Sequence, residues 1–346
     1  MNKYFLPIIL TCSFAALPLQ AGQSLEQALP LLQQKQRTPA QTQQVLQLFR
    51  TAKDPNTVFA AGASLVRIPP ARTQEPALMN LVLRSQDPLR QTFAAVIITA
   101  MGATYEEFAP LFEQALTGKD PVLRAYVAAA YAIIQPKNLS YTHEVVRLYI
   151  LDNAFAQRAM NLLAAESKQQ LKFLKQASTH TDPQIRAAAA TWLGDLNNEE
   201  AAKQLLKMAK SETNADVTTP IATALAKNRD FTFNETVQGL RKNYQSVPAS
   251  TYALALGFMT GNAVESLRSG LTDTNKNVRI NSARAAAYMA GVLNTPDAFT
   301  YTSDRQFDIH LLKSLIAPLS ALASNGSEEE KTFAQNALRQ LESLME

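Results

Sequence analysis

The stretch "DPQIRAAAATWLGDL", residues 182–196, decides the fold because versions of it recur along the chain. Similar stretches begin at Asp87 ("DPLRQTFAAVIITAMG") and at Asp120 ("DPVLRAYVAAAYAI"). An aspartate before a helix accepts hydrogen bonds from the first free amides, and proline suits the first helical position because its missing N–H would have no partner there. Each stretch therefore predicts a helix that begins directly after an aspartate.

The openers of these helices recur at a nearly constant spacing. They are Asp54, Asp87, Asp120, Asp152, Asp182 and Asp216, separated by 33, 33, 32, 30 and 34 residues, and Val247-Pro248 and Asn275 continue the series. A period of about thirty residues indicates a repeat array. One helical hairpin cannot cover its own apolar face, so consecutive hairpins must stack. The sequence thus predicts an all-α fold, an α-solenoid of about eight helical hairpins.

The unit Asp-Pro-x-x-Arg, followed by an alanine-rich helix and a glycine, resembles HEAT and HEAT-like repeats. The resemblance is clearest at 87–102, 120–133, 182–196 and 273–292. It implies a right-handed superhelix in which aspartate and arginine form a ladder between successive units. The residues that would form this ladder are Asp87, Arg90, Asp120, Arg124, Asp182, Arg186 and Arg279. The unit at Asp152 departs from the pattern by lacking a proline, and the unit at Asp216 lacks the arginine.

The N-terminus has the features of a secretory signal peptide. Lys3 precedes an apolar run, and Leu19-Gln20-Ala21 provides a small-residue cleavage site. We therefore expect a signal peptide at 1–21, N-terminal capping helices at 22–53, the repeat array at 54–323 and a C-terminal capping helix at 324–346. The mature chain would be periplasmic or secreted, with no transmembrane segment.

Composition and motifs argue against several functions. The formal net charge of +4 is too small to indicate nucleic-acid binding. Cys12, the only cysteine, lies in the leader, so the mature chain would contain no thiol. His143, His180 and His310 belong to different repeats, and no metal, phosphate-loop or nucleophile motif occurs. We accordingly predict a non-enzymatic protein with no catalytic residue, metal or cofactor.

Basic residues recur in the second helices of consecutive units. The segments "HEVVRLYI" from His143, "KQQLKFLK" from Lys168, "KQLLKMAK" from Lys203 and "QGLRKNYQ" from Gln238 align without gaps. Their first, fifth and eighth positions share one helical stripe. The candidate binding residues are His143, Arg147, Lys168, Lys172, Lys175, Lys203, Lys207, Lys210 and Lys242. In HEAT-type arrays the second helices usually line the concave surface, so the resemblance implies that these stripes face inward.

Two interpretations of these stripes remain open. They form either a solvated lysine-rich face or an anion-binding surface. The segment 294–308, "NTPDAFTYTSDRQFD", is a second candidate, because Phe299, Tyr301 and Phe307 are aromatic residues in a polar stretch. They either contact a partner or cover the last repeat.

These features predict an exported scaffold that recognises another macromolecule through an extended, partly basic surface. A protein partner is the first expectation, with an anionic lipid or polysaccharide as the alternative. The protein would then be a carrier or chaperone for an anionic envelope component. A further alternative is an enzyme, because some HEAT-like proteins act as chromophore lyases on a carrier protein.

Overall fold

A computed structural model describes residues 25–167, 169–295 and 305–345. These residues form helices joined by short connections, and no β-strand occurs among them. The all-α prediction is confirmed. The predicted signal peptide, together with Lys168, Phe299 and Tyr301, lies outside the described residues. The chain divides into two compact units, with the boundary between Gln135 and Pro136.

In the first unit, consecutive helical hairpins stack on one another in chain order. Its α-helices are α1 (Leu25–Leu32), α2 (Pro39–Thr51), α3 (Pro55–Arg67), α4 (Glu75–Arg84), α5 (Pro88–Ala100), α6 (Ala109–Leu116) and α7 (Pro121–Ile134). Helices α3, α5 and α7 pack side by side, and α2, α4 and α6 each pack against the helix that follows. An aromatic contact joins the three central helices, because the Phe93 ring lies 5.1 Å from Phe59 and 5.7 Å from Tyr126.

The second unit repeats this arrangement. Its α-helices are α8 (Thr142–Leu148), α9 (Asn153–Ser167), α10 (Gln170–Ala177), α11 (Pro183–Leu196), α12 (Glu199–Ser211), α13 (Thr218–Lys227), α14 (Arg229–Gly239), α15 (Val247–Phe258), α16 (Val264–Leu271), α17 (Lys276–Asn294), α18 (Arg305–Leu312), α19 (Ile316–Asn325) and α20 (Glu328–Met345). Helices α11, α13, α15, α17 and α20 pack in one row, and α12, α14, α16 and α19 each pack against the helix of the row that follows. This stacking of hairpins is the predicted α-solenoid.

Most helices of the row begin as the sequence predicts. Asp182 accepts a hydrogen bond from the N–H of Gln184 at 2.8 Å, and Asn275 caps α17 in the same way. Asp216 is an exception, because it lies within a short 3-10 helix and α13 begins at Thr218 without a side-chain cap. The prediction that Asp216 opens a helix is therefore wrong.

Small residues stand where neighbouring helices of the row approach one another. A Cβ atom on Gly194 would lie 2.8 Å from the Cβ of Ala224, and one on Gly257 would lie 2.7 Å from the Cβ of Tyr288. Both distances are too short for a side chain, so glycine is required there for close packing. Gly291 of α17 differs, because no atom lies within 4 Å of its Cβ position.

One later segment is more apolar than expected. Residues Gln306–Asn325 have a mean hydropathy of 1.2 and are long enough to cross a membrane by length and composition. The segment is divided into α18, a 3-10 helix at Lys313–Leu315, and α19. Leu312 and Leu319 belong to the buried core of the second unit, and 28% of the apolar window is buried.

Candidate functional site

The lysines of α12 lie on its exposed side. Lys203, Lys207 and Lys210 are exposed, whereas Leu205 and Met208 on the opposite side are buried. Lys203 forms ion pairs with Glu199 at 2.8 Å and with Glu200 at 3.3 Å. The helix therefore presents Lys207 and Lys210 to solvent, and no described carboxylate lies within ion-pair distance of either.

Helix α10 precedes α12 and presents a similar side. Lys172 is exposed, and Phe173 and Leu174 are buried. Lys175 forms an ion pair at 3.3 Å with Glu200, near the start of α12. Gln204 of α12 also donates a hydrogen bond to Ser178 at 2.6 Å. These contacts join the C-terminal end of α10 to the first half of α12, and no described carboxylate lies within ion-pair distance of Lys172.

Arg147 differs from the other residues of the predicted stripes. Its side chain is buried, and it forms ion pairs with Glu144 at 3.0 Å and with Asp182 at 2.5 Å. A charge that is buried and already paired has little capacity to attract a ligand. Arg147 therefore connects α8 to the start of α11 and does not belong to the exposed face.

The fourth predicted stripe is not helical throughout. Helix α14 ends at Gly239, so Lys242 lies in the turn that follows. Lys242 is exposed, but it does not continue the side presented by α12. The sequence alignment missed this boundary because Gly239 ends the helix inside the aligned segment.

A groove lies between α8 and α10, and the sequence did not reveal it. Its volume is about 390 Å³, and it is lined by Leu139 and Phe173, by Lys172, and by the imidazoles of His143 and His180. The two imidazole rings stack with centroids 5.3 Å apart and an angle of 13° between their planes. We call it the imidazole groove. Its histidines are separated by about one repeat period, and this spacing was the signal available in the sequence.

The proton on His180 is positioned by the backbone. The N–H of Asp182 donates to Nδ1 of His180 at 3.0 Å. Nδ1 is therefore an acceptor, so the neutral ring carries its proton on Nε2. No acidic residue is found among the described residues that line the imidazole groove. The groove thus combines apolar side chains with basic and hydrogen-bonding side chains.

The arginines expected to form a ladder pair with other groups. Arg186 donates two hydrogen bonds to Glu212, both at 2.8 Å, and one to the carbonyl of His180. Burial disfavours the Glu212 carboxylate, but the Arg186 guanidinium and the N–H of Asn214 outweigh burial and hold its pKa below the ordinary value. The pair joins the start of α11 to the end of α12.

Arg279 repeats this geometry at α17. It donates to Glu330 at 2.6 Å and to the carbonyl of Asp273 at 2.6 Å. Glu330 also accepts the N–H of Ser327 at 2.7 Å, which places it in the first turn of α20. Sequence reasoning missed Glu212 and Glu330 as partners, because neither stands in the family pattern.

The remaining ladder residues act closer to their own helices. Arg90 bonds Asp87 at 2.7 Å and the carbonyl of Phe49 at 2.9 Å, which reaches back to α2. Asp120 caps α7, and Arg124 donates to the carbonyl of Gly118 at 2.8 Å. Arginine therefore bonds backbone carbonyls at each of these helices.

The second candidate segment is described only in part. Phe307 lies in α18, and 57% of its side chain is exposed. Helix α18 begins at Arg305, so residues 305–308 of the predicted loop are helical. The described residues contain no group of three or more histidine, cysteine, aspartate or glutamate side chains that could hold a metal ion.

Residues 152–226 match the family model of HEAT repeats. The predicted resemblance is thereby confirmed, and the match covers helices α9 to α12 and most of α13, including Lys172, Lys203, Lys207 and Lys210. No curated protein matches the sequence.

Solved structures of repeat proteins are similar at low identity. Kap121p is 12% identical, with a TM-score of 0.33 over 91% of this chain and 43% of that one, so the chain spans less than half of it. The archaeal HEAT-like repeats protein from Thermococcus onnurineus NA1 is 13% identical, with a TM-score of 0.27 over 79% of this chain and 98% of that one. An engineered protein is 18% identical, with a TM-score of 0.21 over 87% of this chain and 98% of that one.

Proposed function

We propose that this protein is an exported, non-enzymatic scaffold that binds an acidic segment of another protein along the second helices of its second unit. The observation that carries the proposal is that the adjacent second helices α10 and α12 present three exposed lysines, Lys172, Lys207 and Lys210, for which no described carboxylate lies within ion-pair distance. Lys172 lies on α10 and lines the imidazole groove, whereas Lys207 and Lys210 lie on α12. We call these three residues the open lysines.

The intramolecular ion pairs indicate which charges are available to a partner. Glu199 and Glu200 neutralise Lys203 and Lys175, and both pairs stay near the start of α12. Along α10 and towards the end of α12, the open lysines have no such partner. A segment with several carboxylates would therefore meet positive charge over more than one turn of helix.

The size of this effect requires several contacts. An exposed ion pair contributes about 0.2–1 kcal/mol, so three pairs contribute about 0.6–3 kcal/mol, or roughly a threefold to 150-fold gain in affinity. The imidazole groove adds apolar contacts next to Lys172, because Leu139 and Phe173 also line it. An acidic segment that also carries an apolar side chain fits this combination best.

The experiment measures the fluorescence anisotropy of a labelled peptide of alternating glutamate and leucine. The triple variant K172E/K207E/K210E should weaken binding at least tenfold, and binding by the unmodified protein should weaken as salt increases. The matched control, K53E/K119E/K313E, reverses three other exposed lysines and changes the net charge by the same amount. Equal binding by the two triple variants would refute the proposal.

Export is tested separately. Sequencing the N-terminus of the protein recovered from the cell envelope should find a mature chain that begins at Gly22. Recovery from the cytoplasm with an intact N-terminus would refute export and leave the binding experiment unaffected.

A further inference from the structure

A second groove crosses the row formed by α15, α17 and α20, away from the lysine-bearing helices. Its volume is about 550 Å³, within the range of about 300–1,000 Å³ that small-molecule sites occupy. Its walls are mainly apolar and include Leu254 and Phe258 from α15, Tyr288 and Val292 from α17, and Phe333 from α20. We call it the arginine groove, after the one charged residue in its described lining.

Gly291 lines this groove and leaves open space in its wall. At Gly194 and Gly257 of the same row, a Cβ atom would collide with the neighbouring helix. At Gly291 no atom lies within 4 Å of that position, although the residue is inside α17. Glycine costs a helix interior roughly 0.5–1 kcal/mol relative to alanine. Helix packing does not require Gly291, and its effect is to leave space in the groove.

Arg284 is the charged residue of the groove, and it is half-buried. Its Nη1 donates to the hydroxyl of Ser250 at 3.0 Å, and its Cζ lies 4.9 Å from the centroid of Phe333. Burial lowers the pKa of the Arg284 guanidinium, and the nearby phenols of Tyr288 and Tyr244 oppose this only in part. The guanidinium therefore lies in a partly dehydrated place.

Arg284 differs in this respect from the other partly buried arginines of the second unit. Arg147, Arg186 and Arg279 each form an ion pair with a carboxylate. For Arg284, no described carboxylate lies within ion-pair distance, and no acidic residue lines the described groove. A half-buried cation without a counter-charge is an anion-binding group, particularly where a planar carboxylate can accept two hydrogen bonds.

We propose that the arginine groove binds a fatty-acid-like amphiphile, with its carboxylate on Arg284 and its hydrocarbon body along the apolar walls. The lining favours this ligand over a peptide. The groove is built from helices whose backbone amides and carbonyls are already paired, and the other polar lining groups are few, such as Asn336 and Gln340 of α20. A peptide backbone would therefore lose hydrogen bonds to water without replacing them. A hydrocarbon chain has no such requirement.

The experiment is a calorimetric titration of the full mature chain with sodium dodecanoate below its micelle concentration. One molecule should bind per chain. Arg284→Gln should weaken binding at least tenfold, and Gly291→Val, which fills the open space, should do the same. Arg339→Gln is the control, because Arg339 is an exposed arginine of α20 that does not line the groove. It should bind as the unmodified protein does.

Two further probes distinguish the head group from the body. Dodecanol, which lacks the charge, should bind at least tenfold more weakly than dodecanoate. The tripeptide Leu-Phe-Leu with a free C-terminus should also bind more weakly than dodecanoate.

Circular dichroism verifies that each variant is folded. If Arg284→Gln does not fold, Arg284→Lys replaces it in the titration, because lysine keeps the charge but loses the bidentate geometry. Three results would each overturn the proposal. These are no binding of dodecanoate by the unmodified protein, binding by the Arg284 and Gly291 variants as tight as that of the unmodified protein, and tighter binding of the tripeptide than of dodecanoate. The proposal is independent of the lysine-bearing face, since its variants do not alter that face.

Discussion

Removal of the Glu212 carboxylate tests whether the arginine pairs hold neighbouring helices together. The Glu212 side chain is only 5% exposed, and it accepts two hydrogen bonds from Arg186 at 2.8 Å. It also accepts the N–H groups of Thr213 at 3.0 Å and Asn214 at 2.8 Å. Replacement by alanine would leave all of these donors without their acceptor.

The expected cost follows from the exposure of the two partners. Breaking a buried ion pair by removing one partner costs about 3–5 kcal/mol. The Arg186 side chain is 17% exposed and keeps its bond to the carbonyl of His180, so water and backbone replace part of the loss. We expect Glu212→Ala to lower the free energy of unfolding by about 3 kcal/mol. Glu212→Gln should cost less, about 1–2 kcal/mol, because its amide oxygen still accepts one bond.

The chain offers both a probe and a matched control. Trp192, the only tryptophan, is buried in α11, the helix that carries Arg186, so its fluorescence during urea unfolding reports on this region. The control is Glu265→Ala, which breaks the exposed pair with Arg268 and should cost less than about 1 kcal/mol. Equal costs for Glu212→Ala and Glu265→Ala would refute the reasoning. So would a double-mutant cycle between Arg186 and Glu212 that shows no coupling.

Three further outcomes are expected. The pKa of Glu212 in the folded protein lies below its ordinary value of 4.5, so its stabilisation is complete above pH 4.5 and is lost as pH falls through the folded pKa. In Glu212→Gln the free energy of unfolding should therefore decrease less steeply at acidic pH, as measured by urea titrations at several pH values. Gly194→Ala should lower the free energy of unfolding by about 1–3 kcal/mol through overpacking, whereas Gly291→Ala should raise it by about 0.4–1 kcal/mol, and thermal unfolding compares them. Asn281→Ala should cost about 1–3 kcal/mol, because the buried amide donates to two carbonyls at the end of α14, measured by the same thermal scans.

The features that could be predicted from the sequence are those held by contacts within one turn of helix. Asp182 caps α11 through a residue two positions away, so the motif contains both partners. Asp216 shows the limit, since Asn214 instead accepts the N–H of Asp216 and α13 starts later. Periodicity then predicts stacking, because each hairpin has an apolar face to cover.

The features that could not be predicted depend on partners about one repeat away, in other helices. Nothing near Glu212 in the sequence indicates that it pairs with Arg186. Arg147 occupies a stripe position like those of the lysines, but Asp182 lies close enough to pair with it, and the side chain is buried. The stacked rings of His143 and His180 likewise depend on the relative placement of α8 and α10. Helical spacing assigns a residue to a side of its own helix but not to a partner on another.

The same distinction separates the cations that stabilise the fold from those available to a ligand. Arg186 and Arg279 have carboxylate partners, so their removal should destabilise the second unit without changing affinity for an acidic peptide. The open lysines have no such partners among the described side chains, so their reversal should change peptide affinity while the urea midpoint stays nearly constant. If Glu212→Ala weakened peptide binding in a fully folded sample, the ion pairs would be part of the binding surface, and this division of roles would be wrong.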